Sequence, residues 1–217
     1  MRSFKILQAG NLLFGLLILF SCREQIEERE LPIIGETEIV TIEKDGNAIT
    51  DTLFHRIPTF RFVDQDSVWI SNDDVADRIY IADFFFTRCP TICPLLARNM
   101  LSIAKEFEDE KRLLILSHTI DEKHDTPAVL KDYAQKLGAP SNWRFLNGPK
   151  DAVYKIAGKE GYFSFAEENP DVPGGFDHSG AFTLVDRNGH VRGVYNGTDE
   201  EEAKKAIEDI RKLLAQF

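Results

Sequence analysis

The segment Ile79-Tyr-Ile-Ala-Asp-Phe-Phe-Phe-Thr-Arg-Cys-Pro-Thr-Ile-Cys-Pro94 constrains this chain more than any other. Apolar and aromatic residues dominate from Ile79 to Phe86, a composition that predicts a buried strand. The run breaks at Thr87-Arg88 and delivers Cys89 and Cys93 to the start of a helix. Pro94 fits a first helical turn, where its missing N–H removes no intrahelical bond. Beyond it Leu96, Met100, Ile103 and Phe107 recur at helical spacing and form an inward face, with Cys93 in phase and Cys89 one turn earlier. In near-helical geometry such an i, i+4 pair has Cα atoms about 6 Å apart, within reach of a disulfide or a shared metal ion. The helix N-terminus and Arg88 both favour thiolate over thiol. A close cysteine pair in an exported protein can instead be a staple. A disulfide closing so short a loop constrains the unfolded chain weakly, so reactivity is the better reading.

At 217 residues the chain suits one domain with an appended segment. Its net charge of −10 argues against nucleic acid, and against anionic lipid headgroups, as partners of the folded part. The third cysteine, Cys22, belongs to the N-terminus. A basic start, Met1 to Lys5, precedes an apolar run from Leu12 to Phe20, too short for a span of roughly 20 residues. The run ends in Leu19-Phe20-Ser21-Cys22, which resembles a bacterial lipobox. That resemblance implies a signal peptide over 1–21, acylation of Cys22, and a lipoprotein held at a membrane and facing the periplasm. An uncleaved signal anchor is the alternative. Both place the domain in a compartment where dithiols must be actively kept reduced.

Residues 22–33 read as a tether, charged from Arg23 to Glu30 and without apolar periodicity. Residues 34–78 predict a β extension packed on the main domain and ending in a hairpin, with strands Glu38–Ile42, Thr59–Val63 and Val68–Ile70. Turn signals stand at Asp45-Gly46-Asn47 and Asp64-Gln65-Asp66. The core, 79–217, alternates strand and helix. After strand Ile79–Phe86 and helix Pro94–Phe107 come strand Leu113–Ser117 and a helix opened by Thr126-Pro127 and stopped at Gly138. Strand Arg144–Leu146, helix Asp151–Ala157 and a hairpin, Ala181–Asp186 with His190–Tyr195, follow. Thr198 with Glu201 reads as the capping box of the last helix. The expected architecture is α/β, a mixed central sheet with helices on both faces.

A strand, a cysteine pair at a helix N-terminus and a closing hairpin and helix resemble the thioredoxin-like layout. Asp83 then stands where thioredoxins carry a buried Asp that handles the proton of the buried thiol. It reads equally as a satisfied polar group late in a strand. The Cys-x-x-x-Cys spacing is closer to another signature. Phe86-Thr87-Arg88-Cys89-Pro90-Thr91-Ile92-Cys93-Pro94 resembles that of the Sco (SenC) family of copper proteins. Asp125-Thr126-Pro127 with Leu130 and Tyr133, and Asp177-His178-Ser179 followed by Phe182 to Asp186, are similar to two further family segments. The resemblance implies copper, Cu(I) or Cu(II), held by Cys89, Cys93 and His178, a set consistent with soft thiolates selecting Cu(I) and an imidazole admitting Cu(II). His178 is expected in a loop before the Ala181–Asp186 strand, with Pro173-Gly174-Gly175 letting it approach or withdraw.

What the resemblance implies is a membrane-tethered copper chaperone delivering to the copper A centre of cytochrome c oxidase subunit II. An upstream copper donor and a thiol reductase would be its other partners. The alternative is a thiol–disulfide oxidoreductase acting on the same subunit, or a peroxide-reactive dithiol. In it Cys89 attacks, Cys93 resolves and Asp83 accepts the proton. His178 discriminates, since metal binding needs it and disulfide exchange does not. Of the other histidines, His118 reads as structural near the site, and His124, His55 and His190 as surface residues.

Overall fold

The computed structural model describes residues 30–44 and 47–217. The expected signal peptide 1–21, Cys22 and most of the tether lie outside the described residues, as does the Asp45-Gly46 half of the first turn signal. Among the described residues no helix is long and apolar enough to cross a membrane.

Strand β5 (Ile79–Phe85) is buried at every position and pairs in parallel with β6 (Leu113–Thr119), which pairs in parallel with β7 (Trp143–Asn147). On the other side of β5 lies antiparallel β10 (Ala181–Val185), then β11 (Val191–Asn196) at the edge. Beyond β7 the sheet continues into β3 (Arg61–Asp64) and β4 (Trp69–Ser71), both antiparallel, to make seven strands. The predicted mixed sheet is therefore present. Part of the expected β extension is an edge of that sheet rather than a layer packed on it. The remainder, β1 (Thr37–Lys44) and β2 (Asn47–Phe54), is a separate hairpin in which every β2 residue is exposed. Strand β2 went unpredicted because neither face of it is buried, which leaves no clear apolar alternation to detect.

Helix α2 (Cys93–Glu106) starts one residue earlier than expected, with Cys93 itself in its first turn. Helix α3 (Pro127–Leu137) ends at Gly138, whose φ of +68° supplies the left-handed stop. Helix α5 (Glu200–Ala215) is capped by Asp199, which accepts from the Glu201 amide at 2.8 Å. The Thr198 capping box is thus corrected by one residue. The Thr198 hydroxyl donates to Asn196 Oδ1 instead, closing the turn before the helix. Two short helices, α1 (Asn72–Val75) and α4 (Lys150–Ala157), and a small hairpin, β8 (Ala166–Glu168) with β9 (Phe176–His178), complete the elements of the described residues.

Alternation along β5 sends its side chains to two cores. Tyr80 and Phe84 meet His118 and Tyr162 on one face. Phe85 meets Tyr133 of α3 and Phe145 of β7 on the other, where Asp83 also points. The parallel strands all end at the pole where β5 runs into the Cys89 turn.

Candidate metal centre

Three elements converge at that pole. Cys89 lies in the turn after β5, its amide bonded to the Phe86 carbonyl at 3.1 Å. Cys93 opens α2 and is buried, while Cys89 is half-buried. His178 ends β9 and is only 6% exposed. The Sγ of Cys93 is 3.5 Å from His178 Nε2. All three donor atoms lie within 4.8 Å of one another.

The tautomer of His178 follows from its neighbours. Its Nδ1 is 3.1 Å from the Ser179 carbonyl, which can only accept, so Nδ1 carries the proton and Nε2 presents a lone pair to the sulfurs. The ring is walled by Phe86, whose face also meets Phe176.

The two thiols are sharply unequal. A hydrogen bond from Cys93 leads the causes that lower the Cys89 thiol to about 3, with help from the Thr91 and Cys93 amides, against the opposing effect of burial. The Cys89 sulfur and burial push Cys93 far up. At neutral pH the pair is one thiolate, at Cys89, backed by one thiol. Thr91 Oγ1 lies 3.6 Å from the Cys89 sulfur.

Arg88 does not play the part expected of it. Its guanidinium turns away to Asp121, at 2.6 Å, and the helix start and the Cys93 thiol do the acidifying. Nor is His178 in a mobile loop. It is paired to Ala166 across β8–β9, and the turn before it is hydrogen-bonded from Asn169 to Gly175. Gly174, at φ +95°, is required there because a Cβ would meet the Phe86 ring at 2.8 Å.

Asp83 is buried on the α3 face and accepts a hydrogen bond from Ser117 Oγ, which in turn accepts from Trp143 Nε1 at 2.7 Å. Burial raises its carboxyl to about 6, with Ser117 and His178 pulling the other way. Sequence reasoning missed Ser117 and also Tyr133. Burial and then the charges of Cys93, Asp83 and Cys89 push the Tyr133 phenol above its ordinary value, which puts it in the field of the site. The Leu130/Tyr133 spacing in the Asp125-Thr126-Pro127 segment was the available signal.

Of the remaining histidines, His124 is exposed as expected. His118 is wholly buried among Phe60, Phe62, Phe84 and Tyr162, with neither nitrogen bonded among the described residues, and takes no part in the donor cluster. His55 and His190 are half-buried, each packed against an aromatic ring. His55 is 3.0 Å from the Gly161 carbonyl and rests on Phe163, and His190 accepts from Arg56 and meets Phe54.

Sheet order, closing hairpin and a Cys-x-x-x-Cys/His cluster at the carboxyl end of a central strand define a thioredoxin-like protein built to hold a soft metal ion. Two thiolates and an imidazole suit copper in either oxidation state. The chain belongs to the SCO1/SenC family, whose model matches residues 50–215. It is 30% identical over 169 residues to the SCO1 protein homolog of Bacillus subtilis, covering 76% of this chain and 86% of that one. A Stutzerimonas stutzeri protein named for copper binding is 29% identical over 139 residues, 63% of this chain and 67% of that one. The crystal structure of a SCO1/SenC family lipoprotein from Bacillus anthracis superposes with a TM-score of 0.67 at 30% identity, over 73% of this chain and 95% of that one. BsSco, a Sco-family cytochrome c oxidase assembly protein in which a disulfide switch was identified, gives a TM-score of 0.62 at 27% identity, over 73% and 93%.

Proposed function

We propose that this chain is a copper chaperone, tethered through acylated Cys22 to a bacterial membrane and facing the periplasm, that loads the copper A centre of cytochrome c oxidase subunit II. The observation that carries the reading is the placement of His178 Nε2, with its lone pair free, 3.5 Å from a sulfur of the Cys-x-x-x-Cys pair. A redox dithiol has no use for that third soft-metal donor. Cys89, Cys93 and His178 hold the ion, and it passes on through mixed coordination with the target's thiols and imidazoles. An upstream donor supplies the copper and a thiol reductase keeps the pair reduced, since the ligands must be reduced to bind. The likeness to a lipoprotein and to an oxidase assembly protein supports the tether and the destination.

A second reading is favoured by the inequality of the thiols. Cys89 as thiolate and Cys93 as protonated resolving thiol suit disulfide exchange, with Asp83 as proton acceptor. The oxidase subunit's own cysteines would be the substrate. The deciding experiment is a competitive Cu(I) titration of the reduced full chain in detergent beside His178→Ala. One tightly held copper per chain, weakened at least about tenfold by the substitution, is expected, a change of about 1.4 kcal/mol. Affinity indifferent to His178 would leave the oxidoreductase reading in its place.

A further inference from the structure

The turn that carries Cys89 is strapped down from a neighbouring loop. Asp125, wholly buried in the loop after β6, accepts from the Thr87 amide at 3.0 Å and the Thr87 hydroxyl at 2.5 Å. The same carboxylate takes the Thr119 hydroxyl at 2.5 Å, and that hydroxyl oxygen accepts the Asp121 amide at 3.1 Å. Asp121 holds Arg88. The loop is itself fixed to the end of β7, because Asn147 Nδ2 donates to the Glu122 and Asp125 carbonyls at 3.0 and 2.7 Å. The two residues immediately before Cys89 are therefore each tied by a carboxylate to the ends of two adjacent strands. Among the described residues no cation lies within ion-pair distance of Asp125, and three donors satisfy its charge. Removing it would leave a backbone N–H and two hydroxyls without their acceptor in a buried place.

We propose that Asp125 is a positioning residue that sets where the Cys89 sulfur stands relative to Cys93 and His178, acting through Thr87. Cys89 is the half-buried member of the pair; its amide is held by Phe86 and its sulfur meets Thr91 and the other donors, and the Thr87 strap ties the turn that carries it to the neighbouring loop. The consequence for copper rests on the function proposed above, whereas the consequence for the sulfur's reactivity does not.

Asp125→Ala, Asp125→Asn and Thr87→Val are compared in the full chain, reading both Cu(I) affinity and the rate of Cys89 alkylation by iodoacetamide at pH 7. A fourth variant, Val75→Ala, softens the core at the opposite pole, next to the start of β5. Asp125→Ala is expected to lower Cu(I) affinity at least tenfold and to change the alkylation rate at least threefold. Thr87→Val should shift both in the same direction by less. Asp125→Asn should recover part of the loss, since the Thr87 hydroxyl can turn to accept from the amide. Should Asp125→Ala fail to fold, the other two variants carry the same readouts. Both quantities unchanged in the folded variants, or equally changed in Val75→Ala at a matched drop in melting temperature, would overturn the proposal. A parent chain that binds no copper yet shows the alkylation shift would retire the chaperone reading and leave the strap standing.

Discussion

The sulfur of Cys93 and Nε2 of His178 lie 3.5 Å apart although 85 positions separate them in the chain. The contact joins the first turn of α2 to the last residue of β9, so it belongs to the tertiary fold and not to any local stretch of chain. Several measurable properties depend on what surrounds that contact.

The Cys89 thiol, lowered to about 3 chiefly by its hydrogen bond from Cys93, stays ionised across the whole working range. Its alkylation rate should therefore hold level from pH 8 down to pH 5, where an ordinary thiol slows about tenfold per unit below about 8.5. Cys93→Ala removes the leading donor, and the midpoint of the profile should move up. A Cys89 rate that falls from pH 8 in the parent chain would contradict the geometry.

Asp83 carries the opposite kind of shift. Its carboxyl is raised from 3.8 to about 6 by burial, so the folded state binds the proton more tightly than the unfolded one. Stability from this group is full below pH 3.8 and is lost as pH climbs through 6, about 3 kcal/mol in all. Asp83→Asn should abolish that slope in chemical denaturation and be the more stable chain at pH 7. It also removes the proposed proton acceptor without touching a metal donor, so Cu(I) affinity should stay within a few-fold.

His118 tilts the balance the other way. Burial alone lowers it from 6.5 to about 3, so the unfolded state takes the proton first. Its contribution is intact above pH 6.5 and is lost as pH falls toward 3, up to roughly 5 kcal/mol. With no partner for either ring nitrogen among the described residues, His118→Leu should match or exceed the parent's stability at pH 7 and exceed it increasingly at pH 5. Parallel denaturation midpoints at both pH values would refute this.

Gly174→Ala places a methyl group 2.8 Å from the Phe86 ring in a left-handed backbone. About 1–3 kcal/mol of stability should go. Because the same turn leads into β9, copper affinity should fall with it, and Gly175→Ala, with open space around its Cβ, should lose less. Thermal melts and the Cu(I) titration together separate the two effects.

The donor set was legible in the sequence because each member sits inside a local pattern: the strand before Cys89, the helical phase of Cys93, the Asp177-His178-Ser179 segment. The parallel strands were legible for a related reason, since full burial writes a continuous apolar run such as Leu113 to Leu116. Features made by partners distant in the chain were not. Nothing near Arg88 says that Asp121 takes its charge, and nothing near His118 says that Phe60 and Phe62 enclose it. The β8–β9 pairing is three residues long on each side and half exposed, too short for periodicity to register, so His178 read as a loop residue.

That strand placement changes what a metal ion meets. A histidine on a swinging loop gives up conformational freedom each time it binds, and regains it by letting go. His178 has already surrendered that freedom to the Ala166 pairing, the Ser179 carbonyl and the Phe86 wall. Capture is then entropically cheap, and departure cannot begin with the imidazole stepping back. Release of a bound ion would start instead at Cys89, the least buried of the three residues, where an incoming ligand would take the place of its sulfur. If copper delivery is its task, a protein made this way would give up its cargo on contact with an acceptor and keep it otherwise.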